Sequence, residues 1–307
     1  MLKFELNNTA KGYLFISVSV LAMANVYIFS KASLNLIHIS QFGVYWFGFG
    51  IIYNLIFNRK NLKLSLLKPI IRKYGFLISG IGILEVLGTS SFFFALKTMS
   101  NPALISFFSN VTPVFVTILG ISVLKEHFNF IEIIGIILAI TGSFIIAYNP
   151  GLEVRDNYYK ALILIIFSGL SFSVSTILSK HNIKNISPSI LSINRAIFLF
   201  FTSLIFLFIT QNSLIIPVKA FLLVSAGSFL GPFLAAIAGY SALKYIEASK
   251  SSVIGSSKAL FVLLSSWLFF SMIPTTYQLT GGLISVFGIF VLASGKKLIY
   301  KKVKKKI

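Results

Sequence analysis

The chain has 307 residues, of which 56% are hydrophobic and only 11% are charged, and its mean hydropathy is +0.91. A soluble domain has about 25% charged residues, so this composition excludes a soluble fold and indicates an integral membrane protein. The formal net charge is +20, but the basic residues lie mostly in short segments between apolar runs and in the C-terminal tail. That placement is typical of membrane topology and not of nucleic-acid binding.

Ten apolar segments are long enough to cross a bilayer as helices, which requires about 20 residues. They lie at 13–35, 38–57, 74–97, 101–124, 130–148, 159–180, 187–210, 218–243, 249–271 and 276–295. Their continuous apolar character excludes the alternating strands of a membrane barrel. We therefore predict an all-α integral membrane protein with ten transmembrane helices.

The basic residues predict the orientation of these spans. With Met1 in the cytoplasm, only five of the 27 lysines and arginines fall on the opposite side, and Arg195 and Lys258 lie inside spans. Basic residues concentrate in the cytoplasmic segments of membrane proteins. We expect a multi-pass protein of the inner (cell) membrane with both termini in the cytoplasm.

The spans divide into two halves of five. Ala242-Leu243-Lys244 repeats Ala95-Leu96-Lys97 at a spacing of 147 residues, and Ser179-Lys180 parallels Ser30-Lys31. Because five is an odd number, the second half is predicted to be inserted upside down, giving an inverted 5+5 repeat as in many secondary transporters. The predicted parts are a first repeat (1–149), a linking loop (150–158), a second repeat (159–295) and a basic cytoplasmic tail (296–307).

Four polar residues lie at similar depth in four different spans. They are Glu85, Asn110, Arg195 and Lys258. A charge at the centre of a membrane helix costs about 2.5–3.5 kcal/mol on insertion scales, so such residues usually face a cavity or a partner. We predict that these four line a substrate path, with Glu85 as the first candidate for a proton-coupling group or a substrate-ammonium partner.

These residues also allow other interpretations. The long side chains of Arg195 and Lys258 can extend to the membrane surface. Glu85 can form a static pair with Lys258 or with Arg195, or it can be protonated and hydrogen-bonded. Two cations against one acid favour a substrate with a carboxylate or phosphate, and a zwitterion would satisfy both signs.

Aromatic residues and prolines supply further candidates. The candidates for lining a pocket are Tyr45, Trp46, Tyr53, Tyr240 and Trp267, of which Tyr45, Tyr240 and Trp267 are predicted to contact substrate. Tyr and Trp also populate belts at the membrane interface, which is the alternative. Pro113 and Pro232 fall within spans four and eight, where each removes a backbone hydrogen bond and permits a kink. They are predicted hinges for alternating access, with static kinks as the alternative.

Enzymatic chemistry finds little support in the sequence. His38, His127 and His181 are far apart and lack metal-ligand spacing, and there are no cysteines. We find no Ser-His-Asp candidate and no glycine-rich phosphate loop. We expect no catalytic site, no bound metal and no cofactor.

The stretch from Ala95 to Tyr148 resembles the EamA half-domain of the drug/metabolite transporter superfamily. The matching residues are Ala95-Leu96, Asn101-Pro102-Ala103, Pro113-Val114-Phe115, Glu126, Gly135 and Gly142. The resemblance extends over the whole chain as two halves, and Arg195 resembles an arginine common in the second half. Glu85 and Lys258 do not belong to the general pattern. The resemblance implies ten helices in an inverted repeat and transport of small metabolites, often amino acids or related amines and frequently outward.

The sequence thus predicts a secondary transporter, an exporter or exchanger of a small polar or amphipathic metabolite such as an amino acid. It would act by alternating access of two inverted repeats around a midplane cavity. Expected partners are this substrate, the bilayer, anionic lipids at the lysine-rich tail and at most a second copy of the chain (a monomer or homodimer), with no nucleic acid. The alternative is a non-transporting membrane scaffold or a subunit of a lipid-modifying complex.

Overall fold

A computed structural model of the chain describes residues 7–60, 63–99, 105–106, 108–147, 157–271, 273 and 275–304. Within these ranges the chain is helical, with short turns and no strand, so the all-α prediction is confirmed for them. Most of the predicted linking loop (150–158) and the predicted start of span four at Asn101-Pro102-Ala103 lie outside the described residues.

The first half contains five helices. They are α1 (Asn8–Leu34), α2 (Ile39–Asn58), α3 (Leu64–Thr98), α4 (Val111–Ser122) and α5 (Phe130–Ala147). Side chains cap the starts of α1, α2 and α5, and Asn7 caps α1 by accepting from the Ala10 N–H at 2.7 Å. His38 and Gln41 form a capping box at α2, and Asn129 and Glu132 exchange 3.0 Å hydrogen bonds with each other's backbone N–H at α5.

The second half contains helices at all five of its predicted spans, two of them interrupted. Its segments are α6 (Asn157–Asn182), α7 (Pro188–Ile209), α8 (Val218–Ser228), a π-helix (Phe229–Ala235), α9 (Ala236–Leu243), α10 (Ala248–Gly255), α11 (Lys258–Phe270) and α12 (Thr276–Lys304). The eighth predicted span is thus α8, the π-helix and α9 in sequence. The ninth is α10 followed by α11.

Eight helical stretches in the described residues have the length and apolar composition of membrane spans, and α4 and α5 supply two shorter apolar helices. The ten predicted full-length spans are therefore not all found there. The described part of span four is shortened because Ser109 and Asn110 form a turn before α4 begins. These observations establish a multi-pass membrane protein.

Two helices extend beyond their predicted limits. Helix α3 begins at Leu64 and not near residue 74, and its added turns carry Lys68, Arg72 and Lys73, all exposed. Helix α12 continues through most of the predicted basic tail to Lys304. In both cases the helix extends beyond its apolar span into a more polar segment. Hydropathy locates only the apolar part of a helix, so it does not predict these extensions.

The main contacts between the two halves recur when the halves are exchanged. Helix α2 packs on α7, and α5 packs on α12. Helix α3 packs on α6, and its second-half counterpart, the α8–π–α9 span, packs on α1. In this arrangement the first four spans of each half surround a common centre, and α5 and α12 pack together beside them.

Helices α5 and α12 cross at closely approaching glycines. A β-carbon built on Gly135 would lie 2.4 Å from the Leu292 backbone nitrogen, and one on Gly288 would lie 2.3 Å from the Ala139 nitrogen. Distances this short are below any normal van der Waals contact, so only glycine fits these positions. Small residues at such crossings let helix backbones pack closely within membranes.

Candidate functional site: a central cavity between the two halves

A cavity of about 260 Å³ lies between the two halves. Its wall is formed by α1, α2, α3 and the start of α4 from the first half, and by α6, α7, the π-helix, α9, α10 and α11 from the second. Among the described helices, α5, α8 and α12 contribute no residue to it. Both halves therefore share the cavity, as a substrate path between two repeats requires.

Glu85 is the centre of a polar network on the cavity wall. Its Oε1 accepts hydrogen bonds from the Ser175 hydroxyl at 2.6 Å and the Tyr240 hydroxyl at 3.1 Å. Its Oε2 lies 3.0 Å from the Arg195 Nε. Glu85 belongs to the first half and all three partners belong to the second, so one buried carboxylate connects three helices across the halves.

Arg195 is held by α3 as well as by the carboxylate. Its Nη2 donates to the Thr89 hydroxyl at 3.1 Å, and the guanidinium lies 5.7 Å from the centre of the Phe172 ring. The Nε and the Glu85 Oε2 are close enough for an ion pair, although they are not aligned for a hydrogen bond. Of the two pairings left open by the sequence, the structure therefore contains Glu85–Arg195.

Lys258 is the third charged residue on the cavity wall. It is the first residue of α11 and is partly buried. Within the described part of the chain, the Lys258 side chain makes no hydrogen bond or ion pair with another residue. It lines the same cavity as Glu85 and Arg195 but is outside their network.

Aromatic side chains form much of the apolar wall. Trp46 is 1% exposed and packs on Phe42 and Phe93, with ring centres 4.8 and 6.3 Å away. The edge of the indole packs against Gly227 of α8, where a β-carbon would lie 2.4 Å from the Trp46 Cζ3. Phe47, Phe92 and Phe172 also line the cavity.

Both predicted hinge prolines line the cavity. Pro113 is the third residue of α4, where the first-turn N–H groups have no helical partner and proline is tolerated. Pro232 lies in the π-helix, and its carbonyl accepts from the Asn54 and Ser192 side chains, each at 3.3 Å. Irregular backbone at membrane depth must be satisfied by such neighbours.

The other predicted site residues lie outside the cavity. Asn110 is 3% exposed, in the turn before α4, and its amide has no hydrogen-bond partner in the described residues. Tyr45 donates to the Leu214 carbonyl at 2.7 Å and so contacts the segment that connects α7 to α8. Trp267 is 54% exposed on the outer surface of α11. Of the seven predicted substrate contacts, the cavity thus contains Glu85, Tyr240, Arg195 and Lys258.

Sequence reasoning missed two partners of the charged residues, Thr89 and Ser175. Hydroxyl side chains are common in membrane helices and usually bond to their own backbone, so neither attracts attention alone. Thr89 lies one helical turn after Glu85, a spacing that places both on one face of α3. The four-residue spacing between Glu85 and Thr89 is therefore the feature of the sequence that could have identified Thr89 as a site residue.

A second polar cluster connects the halves where α4 and α9 end. The Glu126 carboxylate accepts from the Ala248 N–H at 2.7 Å and from the Ser249 N–H at 3.2 Å, and so caps α10 from the opposite half. Glu132 and Lys250, 2% and 1% exposed, form a buried ion pair beside it. The described residues contain no group of three His, Cys, Asp or Glu side chains that could bind a metal.

Comparison with known proteins agrees with this geometry. The chain matches the EamA-like transporter family over residues 10–148 and again over residues 159–294. No match is found among curated proteins. A solved structure described only as "Crystal structure of protein" aligns with a TM-score of 0.73 over 95% of this chain and 98% of its own, at 14% identity. At that identity the likeness shows the fold alone.

Proposed function

Because the chain belongs to the EamA-like transporter family, we propose that it is a secondary transporter whose substrate occupies the central cavity. The substrate is a small polar or amphipathic metabolite, such as an amino acid or a related compound, and the direction is export or exchange. The two repeats are inverted copies of five spans each, and they expose the cavity to the two sides of the membrane in turn.

The observation that carries this proposal is the shared cavity with charged residues at its wall. Its volume of about 260 Å³ lies just below the ~300–1,000 Å³ of typical small-molecule sites. The wall is mainly apolar, with a few convergent polar groups, which is the usual composition of a ligand pocket. A scaffold has no need for three charged side chains around one cavity within membrane-spanning helices, where each charge is costly.

The Glu85 network supports a movement of one half against the other. Three of its contacts join the halves through hydrogen bonds and an ion pair. Such polar contacts can exchange with substrate groups or water at modest net cost, typically about 0.5–3 kcal/mol each. An apolar interface of the same area offers no such exchange, and its two surfaces would have to separate together.

The cluster of Glu126, Glu132 and Lys250 is the second point at which the halves meet through polar contacts. The distribution of basic residues along the sequence predicts that this end of the molecule faces the cytoplasm. We propose that these contacts close the cavity toward the cytoplasm and break when it opens to that side. Glu126 would then hold α10 in place only in the closed arrangement.

The experiment is uptake and counterflow of a metabolite panel in proteoliposomes, with empty liposomes as the background. At least one metabolite is expected to exchange in the wild type, and Glu85→Gln and Arg195→Gln are expected to lower its flux by at least about tenfold. Trp267→Phe is the matched control, because Trp267 lies on a helix of the cavity but faces outward. The proposal fails if no panel member exceeds the background, or if both variants transport as well as the wild type.

A further inference from the structure

The turn before α4 (Ser109 and Asn110) and the turn before α11 (Ser256 and Ser257) occupy equivalent positions in the two halves, but the residues that follow them differ in charge. In the first half the N–H of Thr112 donates to the Ser109 carbonyl at 3.1 Å, and in the second the N–H of Ala259 donates to the Ser256 carbonyl at 3.1 Å. Each donor and acceptor in the second pair lies 147 residues after its counterpart in the first. In this register, the residue that restarts the helix is Val111 in one half and Lys258 in the other.

The charges on the cavity wall do not balance. Glu85, Arg195 and Lys258 are its charged residues within the described part of the chain. Glu85 and Arg195 neutralise each other at 3.0 Å, which leaves the single positive charge of Lys258. The other described carboxylates are engaged elsewhere, Glu126 with the start of α10, and Glu132 and Glu247 with Lys250.

An ammonium group without a counter-ion in an apolar enclosure is energetically costly, and its cost falls when an anion binds beside it. From this imbalance we propose that the transported substrate is a small organic monoanion whose carboxylate pairs with Lys258. Its apolar body lies against the aromatic wall of Trp46 and Phe92. This inference rests on the proposed transport function and specifies its substrate class.

The same geometry disfavours two other classes of substrate. A zwitterion needs an anionic acceptor for its ammonium group, but the Glu85 Oε1 already accepts from Ser175 and Tyr240, and the carboxylate charge is balanced by Arg195, whose Nε lies 3.0 Å from Oε2. A phosphate monoester carries about −1.5 to −2 charges at neutral pH, which exceeds the single unbalanced positive charge. A carboxylate matches that charge.

The test uses the two tryptophans of the chain. Trp46 lines the cavity and Trp267 faces outward, so a Trp267→Phe protein in lipid nanodiscs reports from the cavity wall alone. Butyrate, hexanoate and 3-phenylpropionate are titrated against its fluorescence. Each is compared with the amine and the α-amino acid of the same apolar body.

The expected result is that at least one carboxylate binds tenfold or more tightly than its matched amine and amino acid. Lys258→Met is expected to remove this preference and Lys258→Arg to retain it, with the thermal melting temperature of each variant as the check on folding. Tighter binding of an amine or amino acid, no response to any carboxylate, or an unchanged preference in Lys258→Met would overturn the inference.

These outcomes are separable from failure of the proposed function. If an amino acid binds best and exchanges across proteoliposomes, this inference is wrong and the transport proposal stands. If a carboxylate binds through Lys258 but no compound exchanges, the anion site is supported and the transport proposal is wrong.

Discussion

Lys31 and Lys180 perform the same structural role in the two halves of the molecule. The Lys31 ammonium donates to the Leu96 carbonyl at 3.1 Å and the Met99 carbonyl at 2.6 Å. The Lys180 ammonium donates to the carbonyls of Leu243 and Ile246, both at 2.7 Å. In each half, the lysine at the end of the first span satisfies carbonyls at the end of the third, where the helix dipole favours a cation.

This relationship predicts a large effect of removing either ammonium group. We expect Lys31→Met and Lys180→Met each to lower the free energy of unfolding by about 1.5–3 kcal/mol, because hydrogen bonds from a charged group are lost and buried carbonyls lose their donor. Lys244→Met is the control, since Lys244 is exposed. Thermal unfolding in detergent measures the difference, and equal melting temperatures for all three variants would contradict the assigned role.

The crossing of α5 and α12 predicts a strong dependence on glycine. Gly135→Ala is expected to lower stability by about 1–3 kcal/mol, because the added methyl group would overlap the backbone of α12. Gly80→Ala is the matched control on α3, where a β-carbon meets no atom within 4 Å. There, alanine is expected to be neutral or to stabilise the helix by up to about 1 kcal/mol. Similar melting temperatures for the two variants would show that the helices do not approach this closely.

The buried pair of Glu132 and Lys250 predicts non-additive mutations. Glu132→Gln or Lys250→Met alone is expected to destabilise by about 3–5 kcal/mol, because each leaves the remaining charge without its main partner in a buried site. The double variant is expected to recover part of this loss. A double-mutant cycle on unfolding free energy measures the coupling, and strictly additive effects would mean that the two charges do not interact.

The Glu126 contacts predict a change in access to the cavity. The chain has no cysteine, so Ser252→Cys introduces a single thiol on the cavity wall. Adding Glu126→Ala is expected to raise its labelling rate by a membrane-impermeant maleimide from the cytoplasmic side, because the cap on α10 is lost. An unchanged rate would indicate that Glu126 stabilises the fold without closing the cavity.

Hydropathy was sufficient to predict the helical class and the approximate limits of most spans, because continuous apolar runs report membrane helices directly. It did not predict the turn at Ser109 and Asn110 or the one at Ser256 and Ser257. Those turns interrupt otherwise apolar segments, and serine and asparagine are compatible with helix. Whether such a residue continues or ends a helix depends on its tertiary partners.

The candidate site was predicted unevenly for a related reason. Glu85, Arg195 and Lys258 stand out in a sequence because burying a charge is costly, whichever way its side chain faces. Burying an uncharged side chain such as Asn110, Tyr45 or Trp267 costs less free energy, and many environments can accept it. The position of these residues within a span therefore did not predict whether their side chains face the cavity. The structure places Asn110 in a buried turn, Tyr45 against a connecting segment and Trp267 on the outer surface.

Alternating exposure of the central cavity is tested most directly by labelling Ser252→Cys from each side of the membrane. The measurement uses impermeant maleimide on right-side-out and inside-out vesicles, with Trp267→Cys, which faces away from the cavity, as the control. The account predicts labelling of Ser252→Cys from both sides and little labelling of the control from either. Labelling of Ser252→Cys from one side only, or from neither, would contradict alternating access through this cavity.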